Sequence, residues 1–539
     1  MRILTASDHA LLVEAADLDE AMRLNLAWSE VDGVVERIPG ARTVLVRFDP
    51  LVISAADLAD VLAATEIDTA HLPATGEVTV PVRYDGEDLG EAASLLGVSA
   101  AELVNRHLAA DWNVAFSGFA PGFGYVVSSD PLFDVPRRSS PRTRVPAGSV
   151  ALAGQFTGVY PRESPGGWQL IGRTDALMWD IDRDPPALLS PGTTVRFESV
   201  REQVVMSEDA DDRADARRVT DRHAAAGAPD PGSPAQVAIA TQIEIGTQVE
   251  IVRPSLQLLV QDAGRPGFAA LGVSASGVAD RRAMHEANRA VGNAPGAAVL
   301  ESVGGVVLRF RGAGVAAVAG AVGSLELIDA GGVARRPAHG VPFATVDGDE
   351  LTLGHPASGL RYVIAVRGGV AAEPALHSHA SDTLAGLGPA PLAAGDVLRV
   401  GDSAPHPVEP ETVPRTLPAP GDLVELEVTL GPRDDWFTPA ALAGLTGQEW
   451  TVTPRSDRVG IRLDGAVPLK RSIGGELPSE GAVTGAIQVP PDGQPVLFLP
   501  DHPLTGGYPI IGALTDRSLD LAGQLPPGVR VRFIVKETS

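Results

Sequence analysis

A chain of 539 residues exceeds what one hydrophobic core usually organises, and 44% hydrophobic against 21% charged residues excludes disorder throughout. Its 59 Gly and 45 Pro are about 19% of the chain against roughly 12% on average, with no G-X-Y period, which excludes collagen and favours a turn-rich, mainly β protein. The net charge of −25 repels phosphate backbones and anionic membranes, so no nucleic acid and no membrane is expected as a partner; the absence of Cys removes disulfides, thiolate nucleophiles and Cys-based zinc sites.

Residues 1–78 read as a small α/β unit. A strand around Leu11–Val13 leads to a helix from Asp17 with Leu18, Met22 and Leu26 on one stripe. Strands at Val34–Ile38 and Val44–Phe48 follow, and Ser54 with Asp57 forms a capping box for a second helix. Strand–helix–strand–strand–helix predicts a ferredoxin-like split. From Val78 the pattern predicts a strand and then a helix capped by Ser99 and carrying His107. Short strands among Gly and Pro run on from there to Glu198. Residues 201–245 are acidic, poor in large apolar residues and rich in Pro, Gly and Ser, which predicts a flexible linker between two joined proteins.

The second half opens with a strand at Thr247–Val252. One helix is expected at Asp280–Val291, with the remainder β and a Pro-rich boundary at 404–420. An internal repeat is visible. Val145-Pro146, Ser164-Pro-Gly-Gly-Trp-Gln-Leu-Ile-Gly172 and Leu189-Ser-Pro-Gly…Phe197 recur in order as Val489-Pro490, Leu504-Thr-Gly-Gly-Tyr-Pro-Ile-Ile-Gly512 and Leu525-Pro-Pro-Gly…Phe533. Two related barrels over 79–200 and 416–539, with a different domain over 246–415, account for it.

The densest polar cluster runs from Phe116 to Trp168. Its glycines let backbone N–H groups approach a ligand, and Arg137, Arg138 and Arg142 suit carboxylate or phosphate. Only Lys470 and Lys536 are lysines, so a Schiff-base mechanism has few candidates. His377 and His379 are too weakly spaced for a metal site, and a solvated loop is expected instead. No metal site is expected.

The strings FSGFAPGFGYV (116–126) and VPAGSVALAGQFTGVYPRESPGGWQLIGRT (145–174) resemble the B subunit of bacterial ATP-dependent 5-oxoprolinase, also called allophanate hydrolase subunit 1. Residues 255–300, SDRVGIRLDG (456–465), SEGAVTGAIQVPPDGQP (479–495) and TGGYP (505–509) resemble its C subunit, also called allophanate hydrolase subunit 2. The chain resembles a natural B–C fusion. The resemblance implies cyclophilin-like β-barrels and a hydrolase component that opens 5-oxo-L-proline to glutamate. It also implies ATP (with Mg), a separate subunit-A-like lactam-utilisation protein as partner and a cytoplasmic location, the last agreeing with the lack of a signal-like start. A second copy of the chain is a further candidate partner. The related carboxyltransferase region of urea carboxylase suggests the alternative of urea or allophanate as substrate. No Met-Lys-Met biotin site and no G-x-x-x-x-G-K-[ST] loop is present. Some relatives resemble a histidine-kinase inhibitor and its antagonist; fusing both in one chain argues against that role.

Opening an amide needs donors for a developing oxyanion and a group that moves protons. His107 matches the family histidine ahead of the Pro-Gly-Phe motif, as general base or as a buried core residue. Gln155, Tyr160 and Ser164 offer neutral hydrogen bonds, and Gly166 and Gly167 offer N–H groups. In the second half Gln261, Asp262 and Arg265 precede Ser276 and Gly277. A second constellation comprises Ser456, Asp457 and Arg458, then Ser479, Glu480, Gln488 and Thr505, Gly506, Gly507 and Tyr508. Asp457 and Glu480 are the catalytic candidates there, while Asp262 and Asp457 have turn anchoring as the competing role. Three stretches depart from the family pattern. Leu376–Asp382 has His379 where arginine is usual, Gly320-Ala-Val322 replaces Gly-Ala-Asp, and Asp501-His-Pro-Leu-Thr505 replaces Asp-Arg-Gln-Thr-Thr. They bear on the substrate rather than the fold.

Overall fold

The computed structural model describes residues 1–67, 75–138, 140–200, 247–409, 415–475 and 477–536; the expected linker at 201–245 lies outside them. The N-terminal unit is a four-stranded antiparallel sheet in the order Arg2–Ser7, Ala10–Glu14, Thr43–Phe48, Val34–Pro39, with helices Leu18–Ala27 and Ala55–Ala64. Asp17 caps the first helix by accepting from Glu20 N (2.8 Å), and Ser54 caps the second by accepting from Asp57 N (3.1 Å). The sequence pattern did not announce the strand Arg2–Ser7. It occupies the sheet edge with its first residues exposed or half-buried, so it carries no apolar alternation. Its position is the one a ferredoxin-like fold fills from the opposite end of the chain.

Alternation along these strands gives the sheet two apolar faces. Leu11, Val13, Val44 and Val46 point to the helices. Ala10, Leu12, Ile38 and Leu45 pack against Ala482, Val483, Phe498 and Ile510 of the C-terminal barrel. The two halves of the chain therefore share a core.

The predicted repeat is present, and its register is closely matched. In the first barrel the strand Gly76–Val82 runs parallel to Thr193–Ser199, pairing Val80 with Phe197; in the second, Leu423–Leu430 runs parallel to Arg530–Val535, pairing Leu426 with Phe533. Val150 pairs with Gly172 beside an irregularity at Ile171, as Ile487 pairs with Gly512 beside one at Ile511. Gly192 (φ +87°) donates to Val114 O and Gly528 (φ +89°) to Val452 O, both at 2.9 Å. Trp112 and Trp450 are fully buried, and each indole donates to a carbonyl five residues back, His107 O and Leu445 O, at 2.9 Å. The second barrel is closed by a ladder between Leu423–Leu430 and Ile510–Leu514, whereas the first is closed by the single bridge Arg83–Arg173.

One landmark of the repeat is not equivalent. Val145-Pro146 precedes the strand Ser149–Ala153, but Val489-Pro490 follows its counterpart Ala486–Gln488. The Gly-Gly-aromatic and Leu-x-Pro-Gly segments do correspond.

Between the barrels lies a sandwich of a seven-stranded and a five-stranded sheet, described from Thr247 to Glu409. The helix Arg281–Val291 lies on the five-stranded sheet, capped by Asp280, which accepts from Ala283 N (2.9 Å), and ended by Gly292 at φ +76°.

Candidate functional site

Two hairpin-like pairs carry the Gly-Gly-aromatic loops. Ser164–Gly166 pairs with Arg142–Val145 in the first half, and Thr505–Gly506 pairs with Glu480–Gly481 in the second. The loops face each other across one cavity of about 420 Å³. The first half contributes Phe119, Phe123, Tyr125, Tyr160 and Trp168 as aromatic wall, with Arg137, Arg138, Gly166 and Gly167. The second contributes Arg471, Ser479, Gln488, Thr505, Gly506, Gly507 and Tyr508. A side chain at either loop glycine would displace a cavity residue. A Cβ on Gly166 would collide with the Tyr160 hydroxyl, and one on Gly507 with the Arg137 guanidinium.

Polar groups of both halves are joined in this cavity. Arg137 Nη2 donates to Ser479 Oγ (2.9 Å), the Tyr125 hydroxyl lies 3.2 Å from Ser479 Oγ and 3.3 Å from Thr505 Oγ1, and Phe119 N donates to Thr505 Oγ1 (2.9 Å). Burial pushes the Tyr160 phenol well above its ordinary value, so it remains a protonated donor at neutral pH. Gln488 Nε2 reaches Tyr508 O (3.4 Å), and the Arg471 guanidinium stands 5.6 Å from the Tyr508 ring centroid. Among the described residues lining the cavity there is no Asp, Glu or His.

The three expected arginines separate. Arg138 (2.7 Å) and Arg142 (2.8 and 2.9 Å) both donate to Asp88. Burial alone would raise the Asp88 carboxyl, but Arg142, the Leu170 amide and Arg138 outweigh it and hold it low. Arg142 is thereby held on Asp88 rather than lining the cavity, Arg138 lines the wall while tied to the same carboxylate, and Arg137 lines the wall while donating to Ser479.

His107 is not in the cavity. It is fully buried between the Tyr84 hydroxyl (2.8 Å) and Thr157 Oγ1 (3.0 Å), and burial pushes it down to about 3, so it is a neutral core residue. Gln155 is exposed at the tip of a hairpin. Asp457 is an exposed turn anchor accepting from Val459 N and Gly460 N, and Ser456 accepts from Arg462 N (3.1 Å). Glu480 is a structural ion-pair partner of Arg433 (2.6 Å), which also binds Glu14; burial pushes its carboxyl up against the pull of Arg433. Ser164 lies beside the cavity, its hydroxyl directed to Arg162 O (3.4 Å).

The candidates of 261–277 form a second, internal cluster where the sandwich meets the C-terminal barrel. Arg458 is fully buried and binds Asp501 (2.9 and 3.0 Å), Glu301 (2.5 Å) and Gly277 O (2.5 Å). Ser276 Oγ donates to Asp501 (2.6 Å). Asp262 accepts from Ser378 Oγ and His379 N, both at 2.6 Å, so it anchors the altered Leu376–Asp382 stretch. Gln261 donates to Ser381 O (2.8 Å), and Arg265 to Ala375 O (3.3 Å) and Ala380 O. Ser276, Gly277 and Arg458 thus join the sandwich to the C-terminal barrel, while Gln261, Asp262 and Arg265 bind groups within the sandwich. His377 is exposed and His379 Nδ1 faces Ala372 O (2.8 Å); no group of three metal-binding side chains occurs among the described residues.

Sequence reasoning missed Phe119, Phe123, Tyr125, Trp168 and Arg471 as cavity residues, whereas Ser479, named beside Glu480 in the second constellation, does line the cavity. The aromatics lie within the motifs that carry the resemblance, but nothing local distinguishes an aromatic facing a cavity from one facing a core.

Comparison with known proteins agrees with this two-part chain. Residues 1–189 match the model "Carboxyltransferase domain, subdomain C and D" and residues 271–535 match "Carboxyltransferase domain, subdomain A and B". The B subunit of 5-oxoprolinase from Escherichia coli O157:H7 is 39% identical over 197 residues, covering 36% of this chain and 90% of that protein. The C subunit of 5-oxoprolinase from Escherichia coli K12 is 32% identical over 290 residues, covering 53% and 90%. The chain belongs to the family of 5-oxoprolinase B and C subunits. The crystal structure of TTHA0988 is similar over 97% of this chain and 99% of its own, at 32% identity and a TM-score of 0.77. Urea amidolyase of Lachancea kluyveri is related, 31% identical over 53% of this chain but 17% of that protein. In this family frame the N-terminal unit with the first barrel is the B-like half, and the sandwich with the second barrel is the C-like half.

Proposed function

We propose that the chain is the fused B–C component of a 5-oxoprolinase, opening 5-oxo-L-proline to L-glutamate with ATP and a separate subunit-A-like protein. The observation that carries this is a cavity lined by the Gly-Gly-aromatic loops of both halves. Its volume suits a small molecule. The Arg137 guanidinium supplies a charge-assisted partner for a carboxylate, the aromatic wall packs a small ring, and neutral hydroxyls and amides address the lactam. Through these groups the chain orients and polarises the ligand.

None of the described residues lining the cavity is a carboxylate that could hold the Mg of Mg-ATP. We place the nucleotide on the partner side and derive no step through it. The chain has no Met-Lys-Met site for biotin. We also assign it to the cytoplasm; no helix among the described residues is long and apolar enough to cross a membrane.

Mixing the folded chain with a subunit-A-like protein, ATP and 5-oxo-L-proline is expected to give coupled ATP hydrolysis and glutamate release. ATP turnover without glutamate would sink the reading. The likeness to urea amidolyase supports urea or allophanate as a second reading. Arg137 favours the carboxylate-bearing allophanate over neutral urea, and a binding comparison of the three ligands decides between them.

A further inference from the structure

Ser479 belongs to the second half, yet its environment is set by the first. It is 4% exposed, lines the cavity, and its carbonyl accepts from Ala41 N of the N-terminal unit (2.7 Å). A Cβ on Gly40 would lie 2.6 Å from that carbonyl oxygen, so the backbone at Ser479 is tightly held. Its hydroxyl oxygen receives two donors, Arg137 Nη2 at 2.9 Å and the Tyr125 hydroxyl at 3.2 Å. A serine oxygen has two acceptor positions and one proton. Both acceptor positions are taken.

The direction of the chain follows. Thr505 Oγ1 accepts from Phe119 N (2.9 Å), and its own proton has the Tyr125 oxygen 3.3 Å away. Tyr125 has one proton, which goes to Ser479. Donation therefore runs Phe119 N–H, Thr505 O–H, Tyr125 O–H, Ser479, crossing from one half to the other repeatedly, with Arg137 joining at the end. No acceptor for the Ser479 proton occurs among the described residues. That proton is left for whatever fills the cavity.

We propose that Ser479 is the hydroxyl that donates to the amide carbonyl of the ligand, with Tyr125, Thr505 and Arg137 as positioning residues that fix its polarity. Because both lone-pair positions are occupied, Ser479 is a donor and not a nucleophile. Each upstream donor polarises the next, and the Arg137 charge makes the terminal O–H more acidic as a donor. The selected class is a small carboxylate carrying a carbonyl acceptor; the same ring without the carbonyl leaves the buried donor unpaired. This inference rests on reading the cavity as an amide-ligand site.

The test is calorimetric titration of the full-length chain with 5-oxo-L-proline and with tetrahydrofuran-2-carboxylate, which keeps ring and carboxylate but has no carbonyl. Wild type should prefer 5-oxo-L-proline. Ser479→Ala should weaken 5-oxo-L-proline by about 10-fold or more and leave the carbonyl-free acid within about 2-fold. Tyr125→Phe should produce a smaller loss in the same direction. Should Ser479→Ala fail to fold, as read by its melting curve, the near-isosteric Ser479→Cys takes its place, its weak S–H donor giving an intermediate loss. Equal weakening of both ligands, or none of either, overturns the role of Ser479 while leaving the cavity assignment standing. Wild type binding neither acid overturns the cavity assignment, and the inference with it.

Discussion

In the first barrel Tyr84, His107 and Thr157 hydrogen-bond to one another in the core; in the second, the matched register places Leu430, Leu445 and Pro495 at those positions. The strands, the Trp indole bond and the Gly turn are common to both barrels, so the polar triad is an alternative filling of one core position. A histidine that sequence reasoning leaves open between general base and buried core residue is, by this internal comparison, a residue whose counterpart is leucine. Functional asymmetry lies instead in the loops, where Arg137 and Tyr160 of one barrel face Ser479, Gln488 and Tyr508 of the other half.

The comparison can be broken at several places. The largest effect is expected at the shared tryptophans. Trp112→Ala and Trp450→Ala should each cost about 3–5 kcal/mol in urea unfolding, because each removes a fully buried indole and its bond to a helix-end carbonyl. A near-zero cost at one of them would mean the barrels are not equivalent. Next, Arg137→Ala should lower kcat/KM with the partner protein by about 100-fold, whereas Gln155→Ala should leave it unchanged.

Converting one barrel toward the other is subtler. His107→Leu alone leaves the Tyr84 and Thr157 hydroxyls short of a partner and should cost about 1–3 kcal/mol. The triple change Tyr84→Phe, His107→Leu, Thr157→Val removes all three polar groups and should recover most of that loss with activity intact. Loss of activity in a fully folded triple variant would restore His107 to the mechanism.

The same residue makes a pH prediction. Burial holds His107 down at about 3 against 6.5 when unfolded, and His502 down at about 4. Below pH 6.5 the unfolded chain takes up protons that the folded chain refuses. This stability is therefore complete above 6.5 and is lost as pH falls toward the folded values, by about 1.4 kcal/mol per pH unit for each histidine. Urea midpoints measured between about pH 7 and about pH 5 should fall less steeply, by one proton, in the triple variant than in wild type.

Much of the architecture was legible because the repeat carries it. The Gly-Gly-aromatic loops and the Leu-x-Pro-Gly turns mark the same strand ends in both barrels, and the capped helix at Asp280 is where its pattern placed it. The site was legible in composition but not in selection. The three neighbouring arginines are divided by Asp88, some fifty residues earlier in sequence, which binds Arg138 and Arg142. Glu480 as a catalytic candidate and Arg458 as a substrate-binding one are both motif residues, but Arg433 and Asp501 engage them in buried pairs. Ser479 gained its role only from groups of the other half, more than three hundred residues away.

The central claim is that one cavity, shared by the two barrel-bearing halves, holds the amide ligand. A crystal structure of the full chain soaked with 5-oxo-L-proline tests it most directly. The account predicts ligand density between Gly166–Trp168 and Gly506–Tyr508, with the carboxylate on Arg137 and the lactam carbonyl on Ser479. Saturating binding in solution with density elsewhere, for instance inside the first barrel beside His107, would contradict it.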